Sequence, residues 1–157
     1  MAKRDADSRS LPLIGWREWI ALPELGVKFI KAKIDTGARS SSLHAFDVEM
    51  FEDSGQQMVR FKVNPVQRNA SWVIECVSAV IDVRSIRSSS GEAQVRPVIQ
   101  TPIRLVGHTV DIELTLADRN QMGFRMLLGR EAFRRRFLID PGKSYFGGVP
   151  RKRKGSS

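Results

Sequence analysis

Apolar positions in this chain recur mostly at every second residue, the period of a half-buried strand, and only one stretch reads as a helix. Leu11–Trp16 and Glu18–Leu22 read as short strands, followed by a Pro23-Glu24-Leu25-Gly26 turn. Val27–Ile34 alternates loosely through Val27, Phe29, Ala32 and Ile34, with a slip near Ile30 that predicts a bulge. Leu43–Phe51 and Met58–Val63 flank Asp53-Ser54-Gly55 as a hairpin would. Trp72–Val83 is a long apolar run rich in β-branched residues, continued in style by Ala93–Gln100 and Thr109–Leu116, with a turn at Gly107-His108. The helix is predicted over Arg130–Phe137, just after Gly129. Strands at this spacing predict a small all-β domain, a closed or nearly closed barrel with one short helix near the C-terminus.

A length of 157 residues suits one domain with a real core. We expect a flexible N-terminal segment over 1–10, the barrel over 11–149 and a basic, disordered tail over 150–157. No apolar run approaches the ~20 residues of a membrane span, and the N-terminus lacks the apolar core of a signal peptide. The single cysteine, Cys76, excludes an internal disulfide and fits a reducing cytoplasm.

The net charge is +9, of which the tail Arg151-Lys152-Arg153-Lys154 carries four and residues 1–9 carry one. The body keeps the rest, and its type is informative: between Val63 and Gly142 stand eleven arginines and no lysine. Arginine suits sites where a planar fork must grip a carboxylate or phosphate, although arginine-rich codon usage gives the same count. Trp16, Trp19 and Trp72 sit in apolar patterns and are expected in the core rather than as ligand platforms. We therefore expect no specific nucleic-acid partner, despite a sequence pI near 10.4.

Asp35-Thr36-Gly37-Ala38 follows Ile34 at the end of a strand-like run and occurs once. Such a turn projects a carboxylate, lets Thr36 bond sideways and uses Gly37 where the backbone turns sharply. Acid–base hydrolysis of the aspartic type needs two carboxylates sharing a proton, because two adjacent like charges cannot both ionise. One motif per chain means either that a second copy supplies the partner or that this is only a turn. Asp140-Pro141-Gly142 is a common turn sequence, and we read it as one.

A second segment, Met126-Leu127-Leu128-Gly129-Arg130, is an apolar strand ending in Gly and entering the helix. Together the two segments resemble retropepsin-like aspartic proteases. With Gly15-Trp16-Arg17-Glu18, Leu22–Gly26 and Ser42-Leu43-His44-Ala45, the chain is similar over 13–146 to the RimB-like bacterial group labelled ATP-dependent zinc proteases. The resemblance implies a closed acid-protease barrel acting as a homodimeric, cytoplasmic aspartic endopeptidase. It makes Asp35 the catalytic carboxylate, with Thr36 and Gly37 shaping its turn and Ala38, Leu128 and Gly129 supporting the loop. It also implies association with an ATP-grasp glutamate ligase acting on a small-subunit ribosomal protein, hence an acidic, glutamate-rich substrate. Arg39, Arg84, Arg87, Arg119 and Arg130 are the candidates for reading its carboxylates.

The zinc and ATP of that label find no support in the residues. There is no His-Glu-x-x-His and no Gly-x-x-x-x-Gly-Lys-Ser/Thr, and His44, Cys76 and His108 are widely spaced. We expect no metal and no cofactor. Arg39, directly after the motif, departs from the retropepsin pattern: beside the dyad it would favour the ionised forms, facing outward it could hold a substrate carboxylate, and buried it would sit in an ion pair. The polar stretch 84–92 is either a flap over the cleft or an exposed hairpin loop. A non-catalytic module that binds and regulates the ligase is the alternative reading.

Overall fold

The computed structural model describes residues 10–66, 71–87, 91–118 and 123–150; the basic tail and Arg119 lie outside them, as do the side chain of Arg87 and residues 88–90 of the flap segment. Twelve strands, one short α-helix and a single 3-10 turn over Pro23–Leu25 are present among the described residues: β1 Leu13–Gly15, β2 Arg17–Leu22, β3 Val27–Ile34, β4 Ser41–His44, β5 Phe46–Asp53, β6 Gln56–Val63, β7 Ile74–Ala79, β8 Asp82–Arg87, β9 Ala93–Leu105, β10 His108–Ala117, β11 Met126–Leu128, α1 Arg130–Phe133 and β12 Leu138–Asp140. Six strands close a barrel in the order β10–β4–β11–β3–β2–β9 and back to β10, while β8 continues from β9. β5, β6 and β7 form a separate antiparallel sheet, and β1 lies parallel to β12. This is the predicted all-β barrel.

Alternation builds the wall. In β2, Glu18, Ile20 and Leu22 are buried while Arg17, Trp19 and Ala21 are half-buried. In β3, Ile30, Ala32 and Ile34 point inward and Phe29, Lys31 and Lys33 outward. The pairing steps from Ile20 opposite Ile30 to Leu22 opposite Val27, so β3 carries the extra residue where the slip was expected. Ile30, Leu43, Ile99, Ile103, Leu114 and Leu128 fill the interior, each fully buried; each contributes about 1.5–3 kcal/mol by leaving water. Ser54-Gly55 and Val106-Gly107 both have positive φ at two successive residues, the turn chirality that matches strand twist in tight hairpins.

Four expectations need correction. The helix stops at Phe133, because Arg134 takes an extended ψ of 129° and Arg135 a φ of 67°. The Leu43–Phe51 run is two strands, divided at Ala45 ahead of a positive φ at Asp47. The Trp72–Val83 run changes sheets: the Val80 N–H donates to Gln57 of one sheet and the Ile81 N–H to Val98 of the other. Finally, the three tryptophans are half-buried on the outside of the barrel, not in its core.

Candidate active site

β3 and β11 run parallel, with Leu128 opposite Ile34, and their ladder continues one step through the Asp35 N–H, which donates to the Leu128 carbonyl at 2.9 Å. The chain then turns. Asp35 Oδ1 accepts the Gly37 N–H at 2.9 Å, and the Ala38 N–H donates to the Asp35 carbonyl at 3.2 Å, closing an Asx-type turn. Oδ2 makes no hydrogen bond among the described residues, so the half-buried carboxylate keeps one oxygen for a water or a second acid.

The loop is gripped from behind by the start of α1. The N–H groups of Arg130 and Glu131 donate to the carbonyls of Ala38 and Arg39 at 2.8 and 3.0 Å. Gly129 sits where the two segments cross: a Cβ there would meet the Ser40 carbonyl oxygen and come within 2.7 Å of the carbonyl carbons of Arg39 and Ser40. Its own N–H donates to the buried Ser41 Oγ at 3.0 Å. Ala38, Leu128 and Gly129 therefore converge on Asp35. Ser41 and its role escaped sequence reasoning, since a serine at a strand start carries no signal of a buried partner 88 residues away.

The candidate arginines fare differently. Arg130 donates from Nη1 to the Thr36 carbonyl at 2.9 Å, clasping the tip of the turn. Arg39 is mostly exposed, with Nε 3.6 Å from Glu131 Oε2. Arg84 is engaged by Thr115 Oγ1 at 3.2 Å and Glu113 Oε1 at 3.3 Å. Arg39 and Arg84 both line a cleft of about 610 Å³ beside the loop, together with Asp111, Glu113 and Glu131. Three carboxylates against two guanidinium groups leave that cleft without surplus positive charge.

Asp140 makes an Asx turn like that of Asp35, accepting the Gly142 N–H on Oδ1 at 3.0 Å, but at the end of β12, in another sheet. Glu18 is fully buried, and its carboxylate accepts N–H bonds from Gly15 at 2.7 Å, Phe146 at 2.9 Å and Gly147 at 3.0 Å. It is a structural acid.

The zinc-type ligands do not fit a metal site. His44 ends β4 with its ring against Phe46, and burial together with the Arg125 charge lowers its pKa, only partly opposed by Asp118. Cys76 is buried in β7 with Sγ 3.5 Å from the Leu25 carbonyl, and burial pushes its pKa up to about 11. His108 packs edge-on against Phe137. Among the described residues no three His, Cys, Asp or Glu side chains are grouped to hold an ion. No helix there is long and apolar enough to cross a membrane.

Comparison with known proteins agrees with this geometry. Residues 13–149 match the RimB-like family profile, described as retropepsin-like aspartic endopeptidase RimB. The chain is 47% identical over 133 residues to a Shewanella halifaxensis protein named "Probable alpha-L-glutamate ligase", covering 85% of this chain and 29% of that protein. A Desulfotalea psychrophila protein of the same name is 48% identical over 129 residues, covering 82% of this chain and 28% of the relative. The chain thus spans under a third of the curated relatives it matches. A crystal structure of a Legionella pneumophila protein of unknown function superposes with a TM-score of 0.71 at 26% identity, covering 87% of this chain and 98% of that one. The chain belongs to the RimB-like family of retropepsin-like aspartic endopeptidases.

Proposed function

We propose that this chain is an aspartic-type peptidase, active in the cytoplasm as a symmetric homodimer in which two Asp35 carboxylates face each other across the twofold. The supporting observation is the Asp35 turn itself: one oxygen held by Gly37, the other open, and the backbone clamped from β11 and α1. One carboxylate takes a proton from water as its oxygen attacks the amide carbonyl carbon. The other, protonated, delivers a proton to the departing nitrogen as the C–N bond breaks. Each chain supplies one such loop, so the acid–base pair requires two chains, with Thr36 bracing each turn against its mate.

The substrate we infer is an acidic, glutamate-rich segment of a protein. The matching relatives carry a glutamate-ligase name, and this domain is less than a third of their length. Joining one activity that adds glutamate to another that removes it gives a reversible modification, with a small-subunit ribosomal protein as its target. ATP would be consumed by the ligase partner. The same relatives favour a second reading, in which the domain binds and regulates such a ligase without catalysis.

The test compares wild type with Asp35→Asn on a glutamate-extended peptide and a neutral control, alongside the solution mass by light scattering. Loss of cleavage in the variant and a dimeric mass support the peptidase. Turnover unchanged by Asp35→Asn removes Asp35 from the mechanism. Ligase binding that survives the substitution, with no turnover by wild type, supports the regulatory reading.

A further inference from the structure

Three cations on the outer face of β2 and β3 lie close together without a carboxylate partner, whereas Arg104, Arg130 and Arg136, also without one, are held singly by hydroxyl or carbonyl oxygens. Arg39, Arg60, Lys62, Arg84 and Arg134 each lie 3.0–3.8 Å from a carboxylate. Arg17, Lys31 and Lys33 have no carboxylate partner among the described residues. Aromatic rings hold two of them instead: the Arg17 guanidinium lies 4.6 Å from the Trp16 ring centre and 4.8 Å from that of Tyr145. Lys31 Nζ lies 5.6 Å from the Trp19 ring centre and 5.5 Å from that of Phe124. A ring positions a cation without cancelling its charge, whereas a carboxylate does both. Three un-neutralised cations on two neighbouring strands repel one another, and an anion would complete the arrangement.

The spacing indicates what kind of anion. Arg17 stands opposite Lys33, and Trp19 opposite Lys31. By strand alternation Lys31, Lys33 and Asp35 fall on one side of the chain, roughly 7 Å apart at each step. Alternate side chains of an extended peptide repeat at the same interval. Single-stranded nucleic acid would instead need open ring faces on which bases stack. Here the rings are engaged by Arg17 and Lys31 and by edge-on neighbours such as Trp16 against Phe124 and Trp19 against Phe29.

We propose that Arg17, Lys31 and Lys33 form a strip that binds the carboxylates of an extended glutamate-rich segment; that the strip leads this segment toward Asp35 rests on the peptidase reading above. The binding itself does not depend on hydrolysis.

The full chain carrying Asp35→Asn is titrated with fluorescein-labelled hexaglutamate, hexaglutamine and hexauridylate, followed by anisotropy at fixed ionic strength. Hexaglutamate is expected to bind and hexaglutamine not to. Arg17→Gln, Lys31→Gln and Lys33→Gln should each weaken hexaglutamate by about fivefold to tenfold, with unchanged melting to verify folding, and Lys33→Arg should retain affinity. Arg60→Gln, on the carboxylate-paired β5–β6 hairpin, should leave it unchanged. Absent hexaglutamate binding, equal loss in Arg60→Gln, full affinity in the strip variants, or hexauridylate binding as tightly as hexaglutamate would each overturn the strip. Strip-dependent binding without cleavage by wild type upholds the strip and refutes the peptidase; cleavage by wild type that ignores the strip does the reverse.

Discussion

Arg130 donates from Nη1 to the carbonyl oxygen of Thr36 at 2.9 Å, so a residue of the helix holds the turn that presents Asp35. The bond is exposed, and its stabilisation of the fold is correspondingly small. Its effect on the orientation of the carboxylate is direct. Arg130→Met should lower kcat on a glutamate-extended peptide by about tenfold, with KM changed less and the melting temperature moved by only a few degrees. An equal fall in kcat/KM carried wholly by KM would make Arg130 a substrate contact instead.

Gly129 occupies a crossing with no room for a methyl group, since its Cβ would press on the Arg39–Ser40 backbone. Backbone cannot step aside as a side chain can. Gly129→Ala should cost about 2–3 kcal/mol or more and abolish turnover in whatever fraction still folds. Urea unfolding followed by tryptophan fluorescence reads the first, and peptide cleavage the second. Native stability in this variant would mean that the two segments separate readily.

Glu18 gathers three backbone N–H groups in a fully buried position. Glu18→Gln keeps the shape but turns one acceptor into a donor that faces an N–H. Losing charge-assisted bonds and stranding a donor should cost about 3 kcal/mol, read as a fall of roughly 1–2 M in the urea midpoint.

Cys76 contributes a pH dependence on the alkaline side. Its folded pKa of about 11 stands above the ordinary value of 9.0, so between these values the folded chain holds a proton that the unfolded chain has released. The stability from the buried thiol is fully present below pH ~9 and is lost as pH rises toward 11, by about 2–3 kcal/mol in all. Cys76→Ser should flatten this limb of a stability–pH curve, and the native thiol should react with iodoacetamide only as fast as the chain opens.

The sequence was most legible where one residue type serves one local purpose. The Asp35 turn, the Ser54-Gly55 hairpin and the bulge in β3 are short-range consequences of side-chain chemistry or its absence, while the turn expected at Gly107-His108 falls one residue earlier, at Val106-Gly107, with His108 opening β10. The rest depended on partners far along the chain. Apolar alternation across Val80-Ile81 cannot reveal that one amide bonds to β6 and the next to β9. The apolar spacing of Phe133 and Phe137 looks helical even though the chain between them leaves helical geometry at Arg134. Tryptophans score as core by hydrophobicity alone; here Arg17 and Lys31 use them as surface supports. Arginine abundance drew attention to Arg84, which is already matched by Glu113, and away from the lysines of β3.

The first strand and the acid behind it find their partners almost at the other end of the domain. Leu13 lies beside Leu138, and Glu18 bonds to Phe146 across a separation of 128 residues. A growing polypeptide therefore cannot finish this fold from its beginning onward. Until the segment around Phe146 has been synthesised, β1 has no strand to pair with and a buried carboxylate lacks two of its amides. Closure of so long a loop carries an entropic cost, and the β1–β12 pair and the Glu18 cradle are completed only with the last turn of the domain.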